Sequence, residues 1–274
     1  QSRIVERLSR KIFQIHCQEN RKAVGVAMSI KVFNRTQGVE IPVTTLTFPG
    51  GERHVKCDIS TGDARDQYTV SLKFHGSDDL IDLTMIRDIL RHKKVHLQMD
   101  YVPFARQDRR VNPDEPHALR VFANLINSLD FETISCVDPH SNVVEAVFPN
   151  IYITCQLQAF LDATRPEVRK HITHIVAPDA GAEKKAASIA KYLGLPLITF
   201  SKVRDKNTGE VVGISCSSDI PPTGNFLVVD DICDGGRTFI EIGKYFNTCT
   251  QAELSLYVTH GIFSKGLGVL AEYY

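Results

Sequence analysis

The sequence predicts an α/β protein built from mainly parallel β-sheets with helices on their faces. From Met28 onward, short runs rich in β-branched residues alternate with stretches whose apolar residues recur at helical spacing. This alternation is typical of parallel strands that are covered by helices. The chain has 274 residues, of which 43% are hydrophobic, so it is long enough for one large or two modest domains with a buried core.

Each element is predicted from its own pattern. One helix begins at Pro116 and carries Leu119, Phe122 and Ile126 on one face. The runs that predict strands are residues 29–33, 43–48, 68–72, 95–101, 132–137, 172–177, 195–200, 225–229 and 253–258. The patterns that predict helices are residues 79–90, 116–129, 155–163, 181–193 and 238–247.

Residues 1–27 differ from the rest because basic side chains outnumber acidic ones there. Ile4, Leu8, Ile12 and Ile15 fall near helical spacing, so we expect an amphipathic helical extension. A helix docked on its own protein is favoured over an arm for a membrane surface or a nucleic acid.

Composition excludes several classes of protein. The 32 basic side chains balance 32 acidic ones, so nothing global attracts a nucleic acid. No apolar run approaches the ~18 residues of a membrane span. The seven cysteines are scattered without a C-x-x-C pair, which favours a reducing cytoplasm over a disulfide framework. We expect a cytoplasmic protein without nucleic-acid or membrane partners.

The strongest candidate site follows the strand at 225–229. Asp230 and Asp231 come directly after this apolar strand, and a glycine pair with a threonine then opens a helix. Free backbone N–H groups at such a helix start form an anion site. The paired carboxylates suit either vicinal ribose hydroxyls or a hydrated divalent cation. The residues of this loop are Asp230, Asp231, Asp234, Gly235, Gly236, Arg237 and Thr238.

A second loop repeats this arrangement after the strand at 172–177. Asp179 and Gly181 precede a helix whose first turn carries Lys184 and Lys185. Cations in a first turn oppose the helix dipole, so a nearby anion would explain them. Two solvated lysines on a surface helix are the alternative.

Two further loops carry candidate binding residues. Three arginines within residues 106–110 follow a strand and suit phosphate oxygens, because a guanidinium offers paired donors. Asp138 and His140 follow the next strand, where an imidazole can contact a metal or a phosphate. Residues 48–53 contain a Gly-Gly turn beside Phe48.

Together these motifs resemble the ribose-phosphate diphosphokinases, also called phosphoribosyl-pyrophosphate synthetases, of the type I phosphoribosyltransferase fold. The resemblance covers about residues 29–274. Its motifs are the ATP loop Pro103–Asp108, the metal-contacting Asp138–His140, the ribose-phosphate loop Pro178–Gly181, the sugar-phosphate signature Val229–Thr238 and the segment Thr259–Ser264.

The resemblance implies two phosphoribosyltransferase-like domains, residues 28–150 on the ATP side and 151–274 on the ribose-phosphate side. It also implies a homo-oligomer based on dimers, often a hexamer, in which the 48–52 loop of one chain completes the adenine pocket of another. The ATP-binding residues that it implies are Phe48, Gly50, Glu52, Arg106, Gln107, Asp108 and His140.

The implied reaction transfers the β,γ-diphosphoryl group of Mg·ATP to the anomeric hydroxyl of ribose 5-phosphate. Lys202 and Arg204 are the implied catalytic residues, and His140 and Asp179 are the implied contacts to Mg²⁺. Asp230, Asp231 and the 234–238 loop would bind the sugar phosphate, with Asp179 beside them.

The chain departs from the family at two positions that bear on its substrates. The family's sugar-phosphate loop usually reads Asp-Thr-x-Gly-Thr, whereas residues 234–238 read Asp-Gly-Gly-Arg-Thr. A roomier, more cationic loop leaves a larger acceptor such as ADP-ribose as an alternative. Gly50 replaces a usual polar side chain in the adenine loop. A catalytically silent regulatory homologue and a phosphoribosyltransferase are the rival classes.

Overall fold

The computed structural model describes residues 12–17, 29–204, 211–249 and 252–274. For residues 12–17, 202–204 and 211–212 it describes the backbone only. These residues form two compact units that divide between Thr154 and Cys155. We call residues 29–154 the N-terminal unit, and residues 155–274 together with 12–17 the C-terminal unit. None of the helices in these ranges is long and apolar enough to cross a membrane.

In the N-terminal unit five strands precede the first helix and strands and helices then alternate, whereas the C-terminal unit has helices interspersed among its strands. The strands are β1 (Ile12–Cys17), β2 (Ile30–Asn34), β3 (Val39–Ile41), β4 (Val43–Thr47), β5 (Arg53–Cys57), β6 (Gln67–Leu72), β7 (Lys94–Gln98), β8 (Thr133–Val137), β9 (Ile151–Thr154), β10 (His174–Ala177), β11 (Leu197–Arg204), β12 (Val211–Cys216), β13 (Asn225–Cys233) and β14 (Glu253–Gly261). The helices are α1 (Ser77–Ile89), α2 (Ala118–Ser128), α3 (Val143–Val147), α4 (Gln156–Ala163), α5 (Pro166–Arg169), α6 (Glu183–Leu193) and α7 (Arg237–Cys249).

The N-terminal unit contains a six-stranded sheet in the order β3-β2-β6-β7-β8-β9. Strands β6 to β9 are parallel, while β2 pairs antiparallel with β3 and β6. Strands β4 and β5 form a separate antiparallel hairpin. One buried cluster contains alternate strand residues such as Val70 and Leu97, together with Leu83 of α1 and Phe122 of α2. This packing fixes the carboxyl ends of β7 and β8 next to each other.

The C-terminal unit contains a second six-stranded sheet in the order β1-β14-β13-β10-β11-β12. All neighbours are parallel except the β11–β12 pair. Alternate residues of β13 belong to different clusters: Val228 packs with Phe239 of α7, and Val229 packs with Ile189 of α6. Burial on both faces explains the continuous apolar run of this strand, which is typical of parallel sheets.

The structure corrects several predicted elements. The strand predicted at 195–200 runs over Leu197–Arg204, and the strand predicted at 253–258 runs over Glu253–Gly261. Residues 12–17 were expected to be helical, but they form β1, which pairs in parallel with β14. The open edge of β14 offers hydrogen bonds to an extended segment, and Ile12 and Ile15 are β-branched residues that favour a strand. The rest of the predicted 1–27 helix lies outside the described residues. Strand β13 also continues past Val229 to Cys233, because β14 pairs with it along that length.

Candidate active site

The loop after β7 carries three of the residues predicted to bind ATP, Arg106, Gln107 and Asp108. Phe104 adopts a positive φ of 62°, which is uncommon for a residue with a side chain. Its ring lies 5.8 Å from that of Phe74 and 5.6 Å from that of Phe122, between centroids. The Gln107 N–H donates to the Phe104 carbonyl over 2.8 Å. Aromatic packing and this turn together aim the following polar residues outward.

Those residues line a pocket of about 520 Å³. Arg106, Gln107 and Asp108 reach it from the loop after β7, and His140 reaches it from the loop after β8. The adjacent strands are parallel, so their carboxyl ends lie at the same edge of the sheet. The remaining lining residues are Arg109, Val111, Glu115 and Pro116. Four of the predicted ATP-binding residues therefore meet in one place.

His140 is presented by a tightly held turn. Asp138 is 2% exposed and has a positive φ of 42°. Its N–H donates to the Thr154 carbonyl over 2.8 Å, so the turn is tied to the end of β9. The exposed imidazole of His140 then lies beside the arginines of the pocket.

The other three predicted ATP-binding residues lie elsewhere. Phe48, Gly50 and Glu52 form the tip of the β4–β5 hairpin and are not among the residues that line the pocket. Phe48 is 45% exposed. At the base of the tip, Arg53 contacts Asp82 of α1 through two pairs of atoms, one of them Nε to Oδ1 at 2.9 Å. The hairpin is thus anchored to the unit while its aromatic tip faces outward.

In the C-terminal unit, Asp179 lies just after β10. Its Oδ1 accepts hydrogen bonds from the N–H groups of Gly181 at 3.0 Å and Ala182 at 3.2 Å. These donors are at the start of α6, where backbone N–H groups lack helical partners. The carboxylate therefore orders the turn, as a capping residue does.

Asp230 and Asp231 lie within β13. Asp231 is 7% exposed, and its Oδ2 accepts from Lys185 Nζ at 3.1 Å. Asp230 Oδ1 accepts the Asp231 N–H at 2.8 Å. Burial, and then repulsion from Asp231 and Asp179, raise the pKa of the Asp230 carboxyl to about 8. Asp179, Asp230 and Asp231 together make a place where positive charge is favourable.

The loop at residues 234–238 connects β13 to α7. Gly236 has a φ of 77°, and a Cβ there would lie 3.2 Å from Leu270 Cδ2. The positive φ favours glycine at this position, and a Cβ would crowd the Leu270 side chain. A Cβ at Gly235 would lie 3.6 Å from Lys265 Cε. Arg237 is exposed at the first residue of α7, where a cation opposes the helix dipole.

Two lysines in this unit were not predicted as site residues. Lys185 was noted in the sequence as a cation that needed an anion, and the structure supplies the carboxylate of Asp231. Lys265 directly follows the Thr259–Ser264 segment, which was the available signal. Its Cδ and Cε atoms lie near Gly235, so its side chain adds a cation to the 234–238 loop.

The predicted catalytic residues lie on β11. The backbone of Lys202 is opposite Ile214 of β12, and that of Arg204 is opposite Val211, with a register shift between Val203 and Arg204. The side chains of Lys202 and Arg204 lie outside the description, so their catalytic role stays a prediction.

No group of three or more His, Cys, Asp or Glu side chains within the described ranges could hold a metal ion. Mg²⁺ does not need such a group, since it binds through one or two carboxylates together with substrate phosphates and water. The carboxylates around Asp230 and the imidazole of His140 are compatible with that mode of binding. His140 belongs to the N-terminal unit and Asp179 to the C-terminal unit.

Comparison with known proteins identifies the class of the C-terminal unit. Residues 157–268 match the phosphoribosyl transferase domain family. This range covers β10 to β14, with the Asp179 loop and the 234–238 loop. The C-terminal unit is therefore a phosphoribosyltransferase-type domain.

Relatives that align with most of the chain are ribose-phosphate pyrophosphokinases. The chain is 27% identical over 228 residues to a ribose-phosphate pyrophosphokinase of Campylobacter jejuni, covering 79% of this chain and 71% of that one. It is 28% identical over 234 residues to the ribose-phosphate pyrophosphokinase of Pyrococcus abyssi, covering 82% and 78%. These relatives confirm the resemblance to the ribose-phosphate diphosphokinase family that the motifs predicted, and identities of 27–28% fit a divergent chain.

A solved structure confirms the predicted fold. The phosphoribosylpyrophosphate synthetase from Mycobacterium smegmatis aligns with a TM-score of 0.72 at 22% sequence identity. The alignment covers 86% of this chain and 78% of that one. The α/β architecture with two phosphoribosyltransferase-like domains is thus shared.

Proposed function

We propose that the protein is an ATP-dependent diphosphokinase that converts ribose 5-phosphate and Mg·ATP to phosphoribosyl pyrophosphate and AMP. The observation that carries this proposal is the pocket in which Arg106, Gln107, Asp108 and His140 meet. A phosphoribosyltransferase needs the acid and glycine loops of the C-terminal unit but has no use for this second, arginine-lined pocket. The names of the relatives support the same activity.

In this reaction the anomeric oxygen forms a bond to the β-phosphorus of ATP. The bond from that phosphorus to the oxygen bridging to the α-phosphorus breaks, AMP leaves, and the hydroxyl proton is released. Catalysis of such a displacement rests on alignment and on the stabilisation of charge on the phosphoryl oxygens.

The described residues divide these tasks. Arg106 binds ATP phosphates, and Gln107 and Asp108 bind the nucleotide beside it. Asp230 and Asp231 accept hydrogen bonds from ribose hydroxyls, with Lys185 holding the Asp231 carboxylate in place. The 234–238 loop presents backbone N–H groups to the 5-phosphate.

Lys202 and Arg204 complete this assignment through the family resemblance. We assign them the charge that develops on the transferring diphosphoryl group. His140 and Asp179 would hold Mg²⁺, whose charge neutralises phosphoryl oxygens when it is bound with ATP.

The hairpin tip supports a proposal about assembly. Leu46 and Phe48 are 54% and 45% exposed at one end of the β4–β5 hairpin. An exposed aromatic that the pocket of its own chain does not use suits the adenine pocket of a second copy. We therefore propose a cytoplasmic homo-oligomer in which this tip serves a neighbouring chain.

One observation favours a second candidate acceptor. Arg237 and Lys265 add two cations at the sugar-phosphate loop. The diphosphate of ADP-ribose carries more negative charge than a single phosphate, so this larger 5′-substituent is better matched to the two cations.

The decisive experiment is incubation of the protein with Mg·ATP and either ribose 5-phosphate or ADP-ribose, followed by chromatography for AMP. AMP with ribose 5-phosphate supports the main proposal, and AMP only with ADP-ribose supports the larger acceptor. AMP with neither acceptor would reject both and leave a silent homologue or a phosphoribosyltransferase.

A further inference from the structure

A second pocket lies away from the phosphate-binding loops of the C-terminal unit. Its volume is about 640 Å³. Two of its lining residues are cysteines, and we call it the two-cysteine pocket. The lining residues are Cys216, Ser217, Ser218, Asp219, Ile220, Tyr245 and Cys249.

The fold brings the two cysteines to this pocket from different elements. Cys216 ends β12 and is the cross-strand partner of Phe200 on β11. Directly opposed residues share a face of the sheet, and the Phe200 ring meets the Tyr245 ring of α7 edge-on with centroids 5.3 Å apart. Cys249 lies one helical turn after Tyr245, and residues four apart are neighbours on a helix surface. Tyr245 is therefore a common neighbour of both thiols.

The electrostatic surroundings of Tyr245 agree with this arrangement. The pKa of the Tyr245 hydroxyl is raised, first by burial and then by Cys249, Cys216 and Asp219. Thr248 Oγ1 lies 3.5 Å from Cys249 Sγ. The Cys249 thiol thus has hydroxyl groups near it and is itself exposed.

These thiols differ from the buried cysteines of the described chain. Burial raises the pKa of Cys57 to about 11 and those of Cys136 and Cys233 to about 12. A buried thiol with a raised pKa rarely forms the thiolate that reacts with oxidants. Cys249 is exposed, and Cys216 is partly buried at the edge of a pocket.

We infer that Cys216 and Cys249 form a peroxide-sensitive dithiol whose oxidised state is a disulfide between β12 and α7. The Cys249 thiolate attacks a hydroperoxide, which breaks the O–O bond and gives a sulfenic acid and an alcohol or water. The Cys216 thiol then attacks that sulfur and releases water. Two thiols are oxidised by two electrons, and the hydroperoxide accepts them.

The bond requires β12 and the end of α7 to approach each other across the two-cysteine pocket. A disulfide needs its two Cα atoms within about 7 Å, and the region between β12 and the end of α7 is a pocket instead of packed core. The 216–220 segment lines the pocket, so it is the segment that would move towards α7 when the bond forms.

The disulfide would also restrain the β11–β12 hairpin. Strand β11 carries Lys202 and Arg204, so oxidation should slow diphosphoryl transfer if these residues are catalytic. This consequence rests on the proposed function, whereas formation of the disulfide does not.

The test is peptide mapping of the intact protein after treatment with hydrogen peroxide and trapping of the remaining thiols. We expect a cross-linked peptide containing Cys216 and Cys249, with a loss of about 2 Da for the two hydrogens. Cys216→Ala and Cys249→Ser should each abolish it. Cys155→Ser is the matched control, because Cys155 is exposed but does not line this pocket, and it should leave the cross-link unchanged.

Two results would overturn the inference. One is oxidation of Cys249 to sulfinic acid in the wild-type protein without the cross-linked peptide. The other is equal oxidation of Cys155 and Cys249, which would indicate exposure alone. Neither readout depends on activity, so a failed diphosphokinase assay would leave this result standing.

Discussion

The charge state of Asp230 gives a sharp prediction about stability. Its carboxyl pKa is about 8 in the folded protein, against an ordinary value of 3.8. Between these values the folded state holds a proton that the unfolded chain has released. The free energy of unfolding therefore falls as the pH rises from about 4 to about 8, and it is level above that window.

The magnitude follows from the size of the shift. Each pH unit inside the window changes the free energy of unfolding by about 1.4 kcal/mol. From pH 5 to pH 8 the sum is on the order of 4 kcal/mol. Relaxation around the Asp231–Lys185 pair reduces the cost of burying the charge, so we expect about 2–4 kcal/mol.

Asp230→Asn removes the ionisable carboxyl group, while its amide oxygen can still accept the hydrogen bond from the Asp231 N–H. The stability of this variant relative to the wild type should rise by about 2–4 kcal/mol between pH 5 and pH 8.5. The assay is urea unfolding of the ligand-free and metal-free protein at several pH values, with hydrogen exchange assigning each transition to a unit. Metal and sugar phosphate are left out because they bind the folded state.

Asp162→Asn is the control, since Asp162 is an exposed carboxylate on α4 of the same unit. The free energy of unfolding of Asp162→Asn should depend on pH as that of the wild type does. If the free energy of unfolding of Asp230→Asn depends on pH as steeply as that of the wild type, the prediction is refuted. Asp230 would then be ionised in the folded protein.

Three further predictions concern catalysis and binding. Lys202→Ala should lower turnover by at least ~10²-fold with the KM for ATP nearly unchanged, because its charge acts mainly in the transition state; steady-state kinetics with wild-type turnover would contradict this. Arg106→Ala should raise the KM for ATP about tenfold or more, as expected for loss of a guanidinium–phosphate contact. Arg110→Ala, at an exposed arginine that does not line the pocket, should leave it unchanged. Lys265→Ala should raise the KM for the sugar phosphate without affecting that for ATP; an equal effect on both would remove Lys265 from the sugar-phosphate site.

The meeting of Arg106 and His140 could be predicted from the sequence. Each follows an apolar strand, and adjacent parallel strands present their carboxyl ends at one edge. The glycine pair before α7 could also be recognised from the sequence as the start of a helix, and the positive φ of Gly236 agrees with a turn there. These features depend on local pattern and on one general rule of topology.

The features that sequence reasoning missed depend on distant partners. Strand β1 exists because the edge of β14 accepts it, and no pattern within residues 12–17 reports that edge. Strand β13 extends through Asp230 and Asp231 for the same reason, although aspartate is disfavoured in strands. The pair between Lys185 and Asp231 likewise requires α6 to pack beside β13.

Short elements were missed for a different reason. Strand β5 contains Arg53, His54 and Lys56, so its apolar content is low. Only alternate residues, Val55 and Cys57, are buried, and pairing with β4 supplies the rest of its stability. Such a strand is defined by its neighbour more than by its composition.

The transfer of label from the β-position of ATP tests the central claim most directly. ATP carrying ³²P at the β-phosphorus is incubated with the protein, Mg²⁺ and ribose 5-phosphate, and the products are separated. The proposed diphosphoryl transfer predicts unlabelled AMP and label in phosphoribosyl pyrophosphate. Label that stays in ADP, or in unreacted ATP, would contradict it.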